Sequence, residues 1–300
     1  MFKATYALYN TGRIGAATRL LNFLAKNAMT EPGEFHLPGE KSTDALEFGY
    51  RNSFILLGAL KLGRFDVASR KATASYAKRY QHECGAFFGG AVPKSGEGMV
   101  DPCNTALGGW VCLYSGQYSR ALSAGDFLIE LWRKQPDPQN AFHFIYDTSK
   151  RDIVSDFPRD ETIAYSIDTG AKKAWFFELG ACGFLVELSL ATGRSKYLKF
   201  AREYGDFCLR LNPDSLGWVQ HCKAGWGVAQ LYGATLDGRY RQYAETIAET
   251  LIENQHEDGH WDKFLFPLKN DGSGYYLSAS EVTAEFTFEL TEIVKGIGSP

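Results

Sequence analysis

The chain has 300 residues, a formal net charge of −3, 45% hydrophobic and 14% aromatic residues. So small a negative charge argues against a nucleic-acid partner held through its phosphates. No apolar stretch approaches a membrane span, and the opening Met1–Asn10 carries a single lysine and no signal-peptide pattern.

Five similar phrases, each built on a glycine followed by Arg or Gln, punctuate the chain at Gly12, Gly63, Gly116, Gly193 and Gly238, spaced by 51, 53, 77 and 45 residues. Repeats on this scale mean stacked supersecondary units. Met1–Asn10 reads as the end of an inner helix, followed by an amphipathic outer helix from Gly12 to Asn27. Four apolar runs come next, at 52–61, 106–114, 176–191 and 227–234, and each reads as a buried helix. Each is closed by one of the glycines, in the role of a left-handed cap. Charged amphipathic runs at 66–81, 118–134, 196–211 and 239–255 follow and read as solvent-facing helices. A last inner helix is expected near 276–296. The expectation is one all-α domain over 1–300, an (α/α)6-type toroid of helical hairpins with inner helices in a ring. The sixth hairpin lacks an outer helix, which leaves room for a partner chain and points to a homo-oligomer.

The 77-residue spacing holds an insertion. Within it Phe142–Tyr146 and Asp152–Phe157, joined by Asp147–Lys150, read as a β-hairpin near 141–157 that lies over a rim of the ring. Six scattered cysteines lack zinc-ribbon or redox spacing, consistent with reduced thiols in a cytoplasmic protein. No Walker or Rossmann glycine pattern is present, so no cofactor is expected.

Gln81–Phe87 (QHECGAF) and Gln255–Trp261 (QHEDGHW) are alike. They resemble the QW repeat of the squalene–hopene cyclase family and its α/α-toroid relatives, a structural motif in which glutamine bonds the helix end and the aromatic packs the turn. Asp101–Ala106 (DPCNTA) resembles the D-x-D-D-T-A segment of class II terpene cyclases, with Cys103 where the proton-donating Asp stands. A thiol of pKa about 8.5 cannot protonate an alkene, so that mechanism does not carry over. Asp101 and Cys103 also resemble the D-x-C zinc pair of protein prenyltransferase β-subunits, which would draw on His221 as third ligand; the expectation adopted is no metal.

The starts of the inner helices supply the candidate site. They bring Asp44, Glu47, Tyr50, Arg51 and Asn52; Asp101, Cys103 and Asn104; Asp168, Lys172, Lys173, Trp175 and Glu178; Trp218, Gln220, His221, Lys223 and Trp226; and Tyr275, Tyr276, Ser278, Ser280, Glu281 and Glu285. Asp101, Cys103, His221, Glu281 and Glu285 are the candidates for acid–base chemistry. Tyr50, Arg51, Asn104, Trp175, Glu178, Trp226, Tyr276 and His143 on the insertion are the candidates for substrate binding. Asp44, Asp101 and Ser278 also fit helix N-caps, and the Glu281–Glu285 spacing puts two like charges on one helix face. The leading expectation is a cofactor-independent cyclase or isomerase for a small hydrophobic unsaturated substrate such as a terpenoid or polyketide. The alternatives are a carbohydrate-active epimerase, hydrolase or lyase on the same scaffold, and a non-catalytic scaffold.

Overall fold

The computed structural model describes residues 2–31, 33–36, 48–90, 92–172, 180–215, 222–267, 269, 271 and 273–298. The inner helices are α1 (Ala4–Asn10), α3 (Phe48–Lys61), α5 (Pro102–Tyr114), α7 (Ala181–Thr192), α9 (Cys222–Thr235) and α11 (Ala279–Gly298). The outer helices are α2 (Ile14–Asn27), α4 (Arg70–Tyr80), α6 (Tyr118–Arg133), α8 (Ser195–Leu209) and α10 (Gly238–Glu253). Inner helices α3, α5, α7 and α9 are apolar around most of their circumference. The outer helices bury one stripe, as in α8 with Tyr197, Phe200, Ala201, Tyr204 and Cys208 inside.

Each inner helix touches the next, and α11 returns to α1. Asn10 closes the ring: its amide donates to Thr291 (3.1 Å) and Glu292 (2.7 Å), and its oxygen accepts from Lys295 (2.6 Å). The hole is plugged with aromatics. Trp110 on α5 stacks on Trp226 on α9 at 4.4 Å and 15°. Phe184 on α7 meets Trp110 edge-on, and Phe288 on α11 meets Trp226 and Phe54 likewise. Geometries of this kind add about 0.5–1.5 kcal/mol per pair beyond area burial. The expected (α/α)6-type toroid is the fold, with five outer helices among the described residues.

Four repeat glycines are left-handed as expected: Gly12, Gly63, Gly116 and Gly193, with φ of 74°, 66°, 78° and 67°. The fifth phrase differs. Leu236 takes the left-handed position (φ 57°), and Gly238 opens α10 with Asp237 as its N-cap.

The insertion also departs from the simple hairpin. β3 (Tyr146–Asp147) and β4 (Asp152–Ile153) do pair around the expected turn, and β1 (Met99–Val100) joins β3 on its other edge. The Phe142 stretch does not join them. β2 (Ala141–His143) pairs instead with β5 (Ser166–Asp168), which buries Phe142 and Ile167 completely. A non-local apolar pairing outweighs the local one here. A further hairpin, β6 (Phe264–Pro267) with β7 (Gly274–Leu277), precedes α11. Tyr275 and Tyr276 are therefore strand residues, not the first turn of a helix. β1 and β7 lead directly into α5 and α11, so these sheets stand at the N-terminal rim of the ring.

The two QW-like turns are built alike. Gln81 and Gln255 donate to the carbonyls of Gly85 (3.2 Å) and Gly259 (2.8 Å). The backbone N–H groups of Phe87 and Trp261 each donate, at 3.1 Å, to a threonine hydroxyl one turn into the next inner helix, Thr105 and Thr283. Gly85 (φ 100°) lies so close to α6 that a Cβ there would sit 2.2 Å from the Ser123 carbonyl oxygen. A Cβ on Gly259 (φ 88°) meets nothing nearer than 3.9 Å. Gly85→Ala should therefore cost at least about 3 kcal/mol, strain and overlap together, and Gly259→Ala about 1–2 kcal/mol from strain alone. Urea denaturation of both variants checks this; equal losses would refute the close approach.

Candidate functional site

Four charged side chains are buried together at the N-terminal half of the ring. Lys3 caps α1, Lys223 lies in the first turn of α9, and Glu285 and Glu289 are a turn apart on α11. Their exposures are 7%, 5%, 3% and 0%. Lys3 reaches Glu285 at 2.7 Å, and Lys223 is bonded to the other oxygen of the same carboxylate. Lys223 also lies 3.7 Å from Glu289, whose two oxygens have no hydrogen-bond partner among the described residues. The Lys3 ammonium sits over the rings of Tyr50 (5.1 Å) and Phe54 (5.3 Å) as well.

The two carboxylates titrate far apart. Burial alone would raise Glu285, but Lys223 and Lys3 together outweigh it and pull the group down to about 2. Glu289 is pushed up to about 8 by burial, which the attraction of Lys223 only partly offsets and to which Glu285 adds a smaller repulsion. Burial works against the charge on Lys223, yet Glu285, with smaller help from Tyr50, Cys222 and Glu289, holds its pKa well above the usual value. At neutral pH Glu285 is a carboxylate and Glu289 is mostly a carboxylic acid. Cys222, Glu285 and Glu289 have ligand atoms within 4.8 Å of one another. Both ammonium groups already occupy Glu285, so this set does not fit a divalent ion as it stands.

Next to Lys223 is a cavity of about 10 Å³, lined by Phe54, Cys103, Ala106, Leu107, Trp110, Gly180, Lys223 and Trp226. That is room for about one water-sized oxygen. Both tryptophans are buried, and neither indole N–H has a hydrogen-bond partner among the described residues. The atoms that face this space are apolar, so the Lys223 ammonium and the two indole N–H groups lie beside it rather than open onto it. At the far end of the ring Glu187 accepts from Tyr114 and from Gln230 (2.8 Å), beside a wider depression of about 250 Å³ that Glu292 and Lys295 also line.

The structure divides the residues singled out from sequence. Cys103 and Trp226 line the cavity, and Glu285 and Tyr50 sit on the lysine cluster. Asp101 is the N-cap of α5, accepting from the Asn104 backbone (2.8 Å) and side chain (2.6 Å); Thr105 holds the QW-like turn. Asp101 and Thr105, two of the residues that match the cyclase segment, thereby have structural tasks. Glu281 closes a capping box, its carboxylate accepting from the Ser278 backbone (3.3 Å) and hydroxyl (3.0 Å). Arg51 is half-buried in the first turn of α3, and Tyr276 is exposed on β7 with Lys263 over its ring at 4.9 Å. His143 is on β2 beside Phe157, its pKa lowered by burial and its Nδ1 unpartnered among the described residues. Asp44, Glu47, Lys173, Trp175, Glu178, Trp218, Gln220 and His221 lie outside the described residues. Sequence reasoning missed Lys3, Trp110 and Glu289 and did not single out Lys223 for chemistry. One signal was present, because Glu281, Glu285 and Glu289 form an i, i+4, i+8 series on α11.

No protein-family profile matches the sequence, and no curated protein matches it. Solved structures do match along nearly the whole chain. A family 105 glycoside hydrolase of C. acetobutylicum ATCC 824 superposes with a TM-score of 0.64 at 14% identity, covering 98% of this chain and 93% of that one. A D-mannose isomerase gives 0.62 at 12% identity, covering 98% and 86%. The cellobiose 2-epimerase of Spirochaeta thermophila DSM 6192 gives 0.59 at 15% identity, covering 99% and 85%. The chain shares the α/α-toroid fold with these proteins. None of the three is a terpenoid cyclase, so the resemblance drawn from the QW-like phrases holds at the level of the toroid and not of that family. Among the described residues no helix is long and apolar enough to cross a membrane.

Two outcomes follow from the charge cluster. Glu285→Ala leaves two buried ammonium groups facing each other and should cost about 3–5 kcal/mol by urea denaturation. Glu289 has a folded pKa above its unfolded value of 4.5, so its contribution is most favourable below pH 4.5 and is lost as pH rises towards about 8. Glu289→Gln, which mimics the protonated acid, should gain stability relative to wild type between pH 5 and 9. Parallel stability curves over that range would show that Glu289 titrates normally.

Proposed function

We propose that the chain is a carbohydrate-active isomerase or epimerase that moves a proton on the carbon next to a sugar carbonyl. The observation that carries this reading is a buried ammonium beside a small cavity with an aromatic floor. Lys223 and the stacked pair Trp110 and Trp226 line a space for one oxygen, and both indole N–H groups are unpartnered among the described residues. A carbonyl oxygen that gains negative charge as its neighbouring C–H is broken suits an ammonium group in a water-poor site. Aromatic faces suit the C–H side of a sugar ring. The cavity is the floor of the site, not its full extent.

Three features support this reading over the others. The superposed structures include a mannose isomerase and a cellobiose epimerase. No carboxylate lines the cavity among the described residues, whereas glycoside hydrolysis takes two flanking the bond. The cyclase reading rested on DPCNTA and the QW-like phrases, and both have structural tasks. Lys223 serves as the electrophile, kept protonated by Glu285, while Lys3 balances the second oxygen of that carboxylate. His221, two residues before Lys223 in sequence, is assigned as the base that removes and returns the proton. The exchange is an isomerisation: the proton leaves one face or carbon and returns to another, with no external oxidant.

Incubating the protein with reducing mono- and disaccharides in D2O, with the C2 proton followed by NMR, tests the reading. At least one sugar should exchange that proton and yield its epimer or ketose. His221→Ala should lower the rate by about 10²-fold or more, and Trp226→Phe, which keeps the stack and removes a donor, by about tenfold. No exchange with any sugar would remove the proposal.

A further inference from the structure

α10 ends in the second QW-like turn, which carries a group of side chains that the sugar chemistry does not use. His256, His260 and Asp262 each place a ligand atom within 4.8 Å of the others. The two imidazoles are parallel, with centroids 4.4 Å apart and planes 5° apart. Nε2 of His256 lies 3.1 Å from one Asp262 oxygen, and Nε2 of His260 lies 4.0 Å from the other. Nδ1 of His260 is bonded to Asp258. With the proton on Nδ1 and donated to Asp258, Nε2 keeps a lone pair for a metal ion. A carboxylate behind an imidazole is the arrangement that orients a metal-binding histidine.

The first copy of the turn is an internal control. His82 N–H donates to Ala86 (2.8 Å) as His256 N–H donates to His260 (2.9 Å), and Gly85 N–H and Gly259 N–H close the same inner bond at 2.9 and 2.8 Å. Yet that copy has Cys84, Ala86 and Phe88 where the second has Asp258, His260 and Asp262. The turn is made without any of the three, so their presence together is not a requirement of the fold. The second turn is also held firmly. The Trp261 indole donates to Leu251 (2.8 Å) and its backbone N–H to Thr283 (3.1 Å), which fixes the residue between His260 and Asp262.

We propose that His256, His260 and Asp262 bind a divalent transition ion of the zinc class, with Asp258 orienting His260. Two imidazole nitrogens and one carboxylate oxygen favour such an ion over magnesium or calcium, and leave a fourth position for water. Tetrahedral ligand atoms stand about 3.3 Å apart, and the two rings, one exposed and one half-buried, turn out of their parallel stack to bring their in-plane lone pairs onto one ion. The ion would tie the end of α10 to the segment leading into β6.

The test is calorimetric titration of tag-free, metal-stripped protein with Zn2+. One ion should bind with a micromolar or tighter Kd and raise the melting temperature. His260→Ala restores the residue of the first copy, so it should fold normally while weakening binding at least about tenfold. Asp258→Asn should weaken it by a similar factor. His82→Ala and Cys84→Ser, at the first turn, should leave it unchanged. A Kd weaker than about 100 µM, or one unmoved when both His256 and His260 are replaced by alanine, overturns the proposal.

Discussion

Glu285 is the residue on which three inner helices agree. It accepts from Lys3 of α1 and from Lys223 of α9 while standing on α11. Helices from the two ends of the sequence therefore meet at one carboxylate in the middle of the ring. Buried charges are costly unless paired, so this contact sets the register of α1, α9 and α11 more strictly than apolar packing would. The Asn10 bonds to α11 close the ring at its other end.

The same cluster links architecture to chemistry. An ammonium group kept charged in a dry site needs a counter-charge close by, and Glu285 provides it to Lys223. Burial drives its neighbour Glu289 towards the acid form, with the ionised Glu285 adding to the effect. The tryptophan stack then excludes water from the side of Lys223 that lines the cavity. A ring plugged with aromatics leaves only a small space at its centre, beside two buried indole N–H groups that are unpartnered among the described residues.

The two QW-like turns show how a repeat separates fold from use. Both anchor to a threonine on the next inner helix, and both need a left-handed glycine. The first uses its remaining positions for close packing, Gly85 against α6 and Phe87 against Gly108 of α5. The second is exposed and carries two histidines and two aspartates there instead.

The sequence by itself determined the toroid. Periodic glycines, apolar inner runs and amphipathic outer runs are local signals, and each hairpin is a local unit. It also placed Cys103, Trp226 and Glu285 among the candidates, because polar or aromatic residues stand out at the starts of apolar helices. It could not tell Glu281 from Glu285, since facing out to cap or in to Lys223 depends on where α11 meets its neighbours. The partners of Lys3 lie at the other end of the chain, so nothing near it in sequence announced a buried charge. Trp110 likewise reads as ordinary core until α9 brings Trp226 across the ring. Only the closed tertiary structure decided which residues share the centre, because contacts across a ring join positions that no local pattern connects.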